Sequence, residues 1–181
     1  MPTVIVRPDA ISSSTGWNLS GTALQEAISD GGISSTAIQT NSTCAFTCTF
    51  GNSAAYTGGT INSMVVSAVG GSTGRGTPQA DLALYKADET VLEEVTLTFA
   101  GAASVQTGGT ITADLEPSVV DGMFMVFEPN GTGMFLAELF VTVDYTAAAS
   151  GYGHQVNGVA AASISSVIDV VTANIATINN V

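Results

Sequence analysis

Between Ile33 and Tyr145 the chain alternates between apolar and polar residues. In TCAFTCTF, Cys44, Phe46, Cys48 and Phe50 fall on one side of an extended backbone, and Thr43, Thr47 and Thr49 on the other. A strand sends successive side chains to opposite faces, so this pattern fits a sheet with one face buried and one wet. The alternation starts in AIQTNSTCAFTCTF and returns in TINSMVVSAVG, ADLALYK, EEVTLTF, TITADL, GMFMVFE and GMFLAELFVTVDY. Turns rich in Gly, Pro or Asn, such as GGSTGRGTP and EPNGTG, separate these segments. Roughly eight to ten strands with no helix between them point to an antiparallel sandwich or barrel. The expected fold is all-β, an antiparallel, jelly-roll-like β-sandwich over residues 1–145.

TVIVRP, ended by its proline, reads as the first strand. One short helix is expected over about residues 22–30, where Thr22 to Gln25 matches a capping box and Gly31 can close the C-terminus. Trp17, the only tryptophan, reads as a core plug, with a sugar-stacking platform as its functional alternative. TGGTI occurs twice, 50 positions apart, in YTGGTINS and QTGGTITA. Each Gly-Gly is expected to turn the chain into a strand that begins at Ile61 or Ile111, because glycine takes positive φ at low cost. A phosphate cradle would need a strand-loop-helix context and a Lys, and neither accompanies the motif.

After Tyr145, TAAASGYGHQ reads as a flexible linker over residues 146–155. The remainder, residues 156–181, repeats itself with a period of 11: Val156, Val167 and Ile178 align, as do Val159, Val170 and Val181, and Ile164 and Ile175. On a helix, Val156, Val159, Ile164, Val167, Val170, Ile175, Ile178 and Val181 form one apolar stripe. That stripe is about 160° wide at roughly 100° per residue. This reading gives a helix over about 160–177, whereas the wealth of Val, Ile, Thr and Asn favours short extended arms. In either form so narrow an apolar surface barely offsets the entropy of ordering it, so it needs a partner. These eight residues are the expected assembly interface, packing on copies of the chain or back on its own sandwich.

Composition removes several function classes. Three basic residues (Arg7, Arg75, Lys86) stand against 15 acidic ones, a formal charge of −12, so no footprint for phosphate neutralisation exists. Neither nucleic acid nor an anionic membrane is an expected partner. No apolar run is long enough to span a bilayer as a helix, and no secretory leader is legible in MPTVIVRPDAISSS. Cys44 and Cys48 lie about 13 Å apart on a strand at roughly 3.3 Å per residue, beyond disulfide reach, and read as free thiols.

No catalytic constellation is visible, and no enzyme activity or cofactor is expected. The single histidine, His154, lies in the linker, where a Ser-His-Asp site would lack preorganisation. Asp81, Asp88, Glu89, Glu93, Glu94, Asp114, Glu116, Asp121 and Glu128 read as solvated turn and edge charges. Calcium among loop oxygens around Asp121, Glu128 and Asn130 is a secondary possibility without EF-hand spacing.

The tail VNGVAAASISS…VTANIATINNV resembles the degenerate repeats near the ends of virion structural proteins of tailed bacteriophages, marine ones especially. VIVRPDAISSSTGWNLSGTALQEAISDG is similar to the start of the β-sandwich domains such proteins carry. The second repeat departs from the pattern, with Asp169 before Val170 where the first has Gly158 before Val159. The resemblance implies a capsid decoration or cement protein assembled in host cytoplasm into the virion. Its implied partners are itself, as a homo-oligomer and possibly a trimer, and the major capsid or other virion proteins. A tail, fibre or collar component is the alternative, as is a carbohydrate- or receptor-binding sandwich. An aromatic cluster on one exposed face would mark the latter, with Trp17, Tyr56, Tyr85 and Tyr152 as candidates.

Overall fold

The computed structural model describes residues 2–11, 16–19, 37–39, 44–51, 59–113, 115–116, 120–147, 166–167 and 170–171. The strands are β1 (Thr3–Val6), β2 (Pro8–Ile11), β3 (Trp17–Leu19), β4 (Ala37–Gln39), β5 (Phe46–Phe50), β6 (Thr60–Ser72) and β7 (Gln79–Tyr85). They continue with β8 (Val91–Thr98), β9 (Ser104–Ile111), β10 (Phe124–Pro129), β11 (Met134–Thr146), β12 (Ser166–Val167) and β13 (Val170–Val171). Alternation builds two antiparallel sheets. Sheet A has the order β3-β4-β11-β6-β9 with β1 also paired to β11, and sheet B has the order β2-β5-β10-β7-β8. The chain changes sheet at most connections, and within the two sheets only β3–β4 and β7–β8 are sequential hairpins. This is the jelly-roll-like β-sandwich the patterning predicts.

The inner faces meet in one core. Sheet A contributes Met64, Val66, Ala68, Leu136, Leu139, Val141 and Val143; sheet B contributes Phe46, Cys48, Phe50, Leu82, Leu84, Met125 and Phe127. β6 and β11, each 13 residues long, pair along nearly their whole length and form the spine of sheet A. A bulge at Ala137 lets both Leu136 and Leu139 point inward, which places Glu138 on the outer face. Gly70 is required where it stands, because a Cβ there would meet the ring of the buried Phe99 at 2.9 Å.

Four expectations change. AIQTNSTCAFTCTF is two strands, β4 in sheet A and β5 in sheet B, with Cys44 ahead of β5. Pro8 opens β2 in the second sheet, and its missing N–H is tolerated there because β2 is an edge strand. The first TGGTI does lead into a strand at Thr60, but the second lies inside β9, so the strand expected to begin at Ile111 instead ends there. Gly108 and Gly109 have no positive φ; their lack of a side chain instead leaves room for Val66, Val95 and Glu93.

The tail is the fourth. Ser166 pairs with Val171 and Val167 with Val170, antiparallel, so these four residues are extended, and the rest of 160–177 lies outside the described residues. Val156, Val159, Ile164, Ile175, Ile178 and Val181 lie outside the described residues, as do the helix expected at 22–30 and the linker beyond Ala147.

Candidate binding face

The outer face of sheet B brings together what the sequence scatters. Alternation in GMFMVFE buries Met125 and Phe127 and turns Phe124, Val126 and Glu128 outward. Register then sets Phe124 beside Tyr85, the last residue of β7, and beside Thr49 of β5. The two half-buried rings stack with centroids 4.9 Å apart and planes 8° from parallel. Val91, 49% exposed, flanks Tyr85 on the β8 side. The result is an apolar ridge across three strands, β10, β7 and β8, near one end of the sandwich.

Polar groups with fixed partners border that ridge. Thr49 donates its hydroxyl to Asp9 Oδ1 at 2.7 Å. Towards the other end of the face, Asp81 accepts from Thr96 Oγ1 at 2.6 Å and from Asn130 Nδ2 at 2.9 Å. Those two bonds, the Thr96 hydroxyl first, hold the Asp81 carboxyl below its ordinary pKa. In the adjoining β7–β8 turn, Asp88 accepts from the Thr90 N–H at 3.0 Å, which likewise lowers its pKa. Between the aromatic row and the Asp81 row lie Ala83, Val126, Thr47 and Glu94. The face combines one aromatic pair, short hydroxyl side chains and carboxylates.

A cavity of about 260 Å³ opens beside sheet A, lined by Gly59, Thr60, Ile61, Thr112, Leu115 and Glu116. The start of β6 and the segment that follows β9 border it. β6 runs into β7 through a short connection at the opposite end, so Thr60 and Tyr85 belong to the same end of the sandwich.

Other candidates are placed elsewhere. Trp17 is 7% exposed and donates Nε1–H to the Cys44 carbonyl at 2.8 Å, so it is the core plug and no platform. Phe46 meets it edge-on at 5.5 Å. Tyr56, Tyr152 and His154 lie outside the described residues. Cys44 and Cys48 are buried and form no disulfide; burial above all pushes the Cys48 thiol up to about 12, which leaves no Cys48 thiolate for nucleophilic work near neutral pH. Asp121 and Glu128 stand before and near the far end of β10, and Asn130 bonds Asp81, so the trio proposed for calcium is not assembled. Among the described residues no three His, Cys, Asp or Glu side chains are grouped to hold a metal, and no helix is long and apolar enough to cross a membrane. The partner role of Phe124 was not read from the sequence. Its signal was there, an aromatic at an outward position of an alternating strand.

No protein-family model matches this chain, and no curated protein matches it. Among solved structures it is similar to the C-terminal CBM6 of LamC, a marine laminarinase from Zobellia galactanivorans. That match has 13% identity and a TM-score of 0.46, over 78% of this chain and 98% of that one. It is also similar to the carbohydrate-binding module CBM6cm-2 of Cellvibrio mixtus lichenase 5A, with 11% identity and a TM-score of 0.45, over 79% and 97%. The CBM22-1-GH10 modules of Clostridium thermocellum xylanase 10B match at 18% identity and a TM-score of 0.41, over 78% of this chain and 28% of that one.

Proposed function

We propose that this chain is a non-catalytic β-sandwich binding module whose outer sheet B face takes a neutral glycan. The Tyr85–Phe124 stack carries the reading, as an aromatic pair left on an outward face of a protein that buries its tryptophan. A pyranose presents an apolar C–H surface and a rim of hydroxyls. The ridge offers the first a surface to pack on, while Thr49, Asp9, Thr47 and Glu94 offer the second donors and acceptors. The carboxylates also set a limit on charge, because Asp9, Asp81, Glu94 and Glu128 would repel a sulfated or uronic polymer.

Titration of the full chain with a neutral β-glucan, beside a sulfated and a uronic polysaccharide, tests this. Binding of the neutral polymer alone is expected, weakened at least 10-fold in Y85A and F124A with the folded state kept. Absence of binding to a panel of neutral glycans, or unchanged affinity in both variants, overturns it.

A second reading is a phage virion surface protein that decorates or cements the head by homo-oligomerising, or a fibre or collar component. It rests on the resemblance of the opening and tail segments and on the exposed apolar residues of sheet A, Ile5 at 46% and Val105 at 57%. Co-sedimentation of the chain with purified phage heads is the expected outcome under that reading. The two readings are compatible, since a virion surface module can also hold a host glycan.

A further inference from the structure

The turn from Asn130 to Gly133 joins β10 to β11, and both of its ends are tied to the sandwich. The Asn130 N–H donates to the Gln79 carbonyl at 2.8 Å. At the other end the Gly133 carbonyl accepts from the Thr73 N–H at 2.7 Å and from the Thr73 hydroxyl at 3.0 Å. Between those anchors the chain is open. Asn130 and Thr132 are exposed, and a Cβ built on Gly131 would meet nothing within 4 Å. Among the described residues no hydrogen bond engages the Gly131 N–H.

An asparagine that precedes glycine is chemically labile. The glycine nitrogen lies one bond beyond the asparagine carbonyl, and without a Cβ the glycine lets the backbone bring that nitrogen onto the side-chain carbonyl carbon. Asn130-Gly131 is the one such pair among the described residues. Asn62-Ser63 makes an internal contrast. It lies inside β6, where pairing with β11 fixes the backbone and Ser63 brings a side chain.

We infer that Asn130 is a site of intramolecular deamidation, which replaces a hydrogen bond on the outer face of sheet B with two neighbouring carboxylates. The Gly131 nitrogen attacks Asn130 Cγ, and the new N–C bond closes a five-membered succinimide. Ammonia departs, formed from the Nδ2 amide group and the proton that Gly131 gives up. Water then opens the ring at either carbonyl, leaving aspartate or isoaspartate at position 130. One water is consumed, one ammonia is released, and nothing is oxidised or reduced.

The consequence follows from what Asn130 holds. Its Nδ2 donates to Asp81 Oδ2 at 2.9 Å. Either product removes that donor and puts a second carboxylate near Asp81, in a chain already at −12. Isoaspartate also adds a backbone atom between two anchors that set the length of the turn. The polar end of the sheet B face changes with time, whatever that face binds.

Incubation of the full chain at neutral pH and physiological temperature tests this, followed by peptide mapping with electron-transfer fragmentation, which separates position 130 from Asn157 in the tail. Position 130 should convert to a mixture of aspartate and isoaspartate at least 10-fold faster than Asn62. The rate should rise with pH, because the attacking nitrogen must shed its proton. G131A, whose methyl meets open space, should keep the fold and slow conversion at least 10-fold. N130D, the product of one ring opening, should melt below fresh wild type at neutral pH. Conversion no faster at Asn130 than at Asn62 overturns the proposal, as does an unchanged rate in G131A. A melting temperature in N130D equal to that of wild type overturns the claim that the reaction removes a bond the fold uses.

Discussion

At the scale of single residues, packing decides which chemical groups are left available. Gly16 sits at φ +86°, and a side chain there would run into the Cys44 Cβ. That close approach brings the Trp17 indole within reach of the Cys44 carbonyl and into a cluster with Phe46 and Phe127. The sequence shows Trp17 as a core plug because it is the one large aromatic near an apolar opening. Its partner, 27 residues away, is set only by the fold. Cys48 is fully buried beside the same cluster, and its pKa stands at about 12 against an ordinary 9.0. The unfolded thiol therefore loses its proton first. The stability from keeping it neutral is complete below pH 9.0 and drains away as pH rises towards about 12. Denaturation titrations across that window should show stability falling by up to about 1.4 kcal/mol per pH unit from this group. In C48A this part of the slope should vanish whatever its absolute stability. An identical slope in C48A would mean that the thiol ionises alike in both states.

At the scale of elements, alternation identifies strands well and their neighbours poorly. TINSMVVSAVG, ADLALYK, GMFMVFE and GMFLAELFVTVDY match β6, β7, β10 and β11 almost residue for residue, since period-2 burial is a local property. The second TGGTI misleads because glycine serves two needs, and only the pairing of β9 beside β6 and the approach of β8 show which one applies. In the tail the 11-residue period fits a helix, yet at Ser166–Val167 and Val170–Val171 the backbone pairs as strands. At the β8–β9 edge, Glu93 Oε1 accepts the Gly109 N–H at 2.8 Å and so occupies an amide of an edge strand that could otherwise recruit another chain. E93A should lower stability by about 1 kcal/mol, the usual net worth of such a bond, and should raise turbidity growth on warming. E93Q keeps an acceptor and should restore most of both. Equal aggregation in all three proteins would show that this amide does not limit edge pairing.

At the scale of the whole molecule, the chain has become a sandwich with unlike outer surfaces. Composition alone reveals the acidic excess, but which carboxylates share a face depends on strand order and register, and neither is local. With three basic residues against 15 acidic ones, most carboxylates meet other carboxylates across the molecule rather than a cation. Folding brings them closer than the unfolded chain does, so their mutual repulsion opposes the native state. Salt should relieve it. The screening length shrinks from about 30 Å at 0.01 M to about 8 Å at 0.15 M, which spans the distances between carboxylates on one sheet face and across the sandwich. The Arg7–Glu138 pair is part-buried and should lose less than an exposed pair over the same range. The melting temperature of the full chain should therefore rise by a few degrees between those two ionic strengths, read at a concentration low enough to keep copies apart. A melting temperature that instead falls with salt would mean that attractive pairs outweigh the net charge.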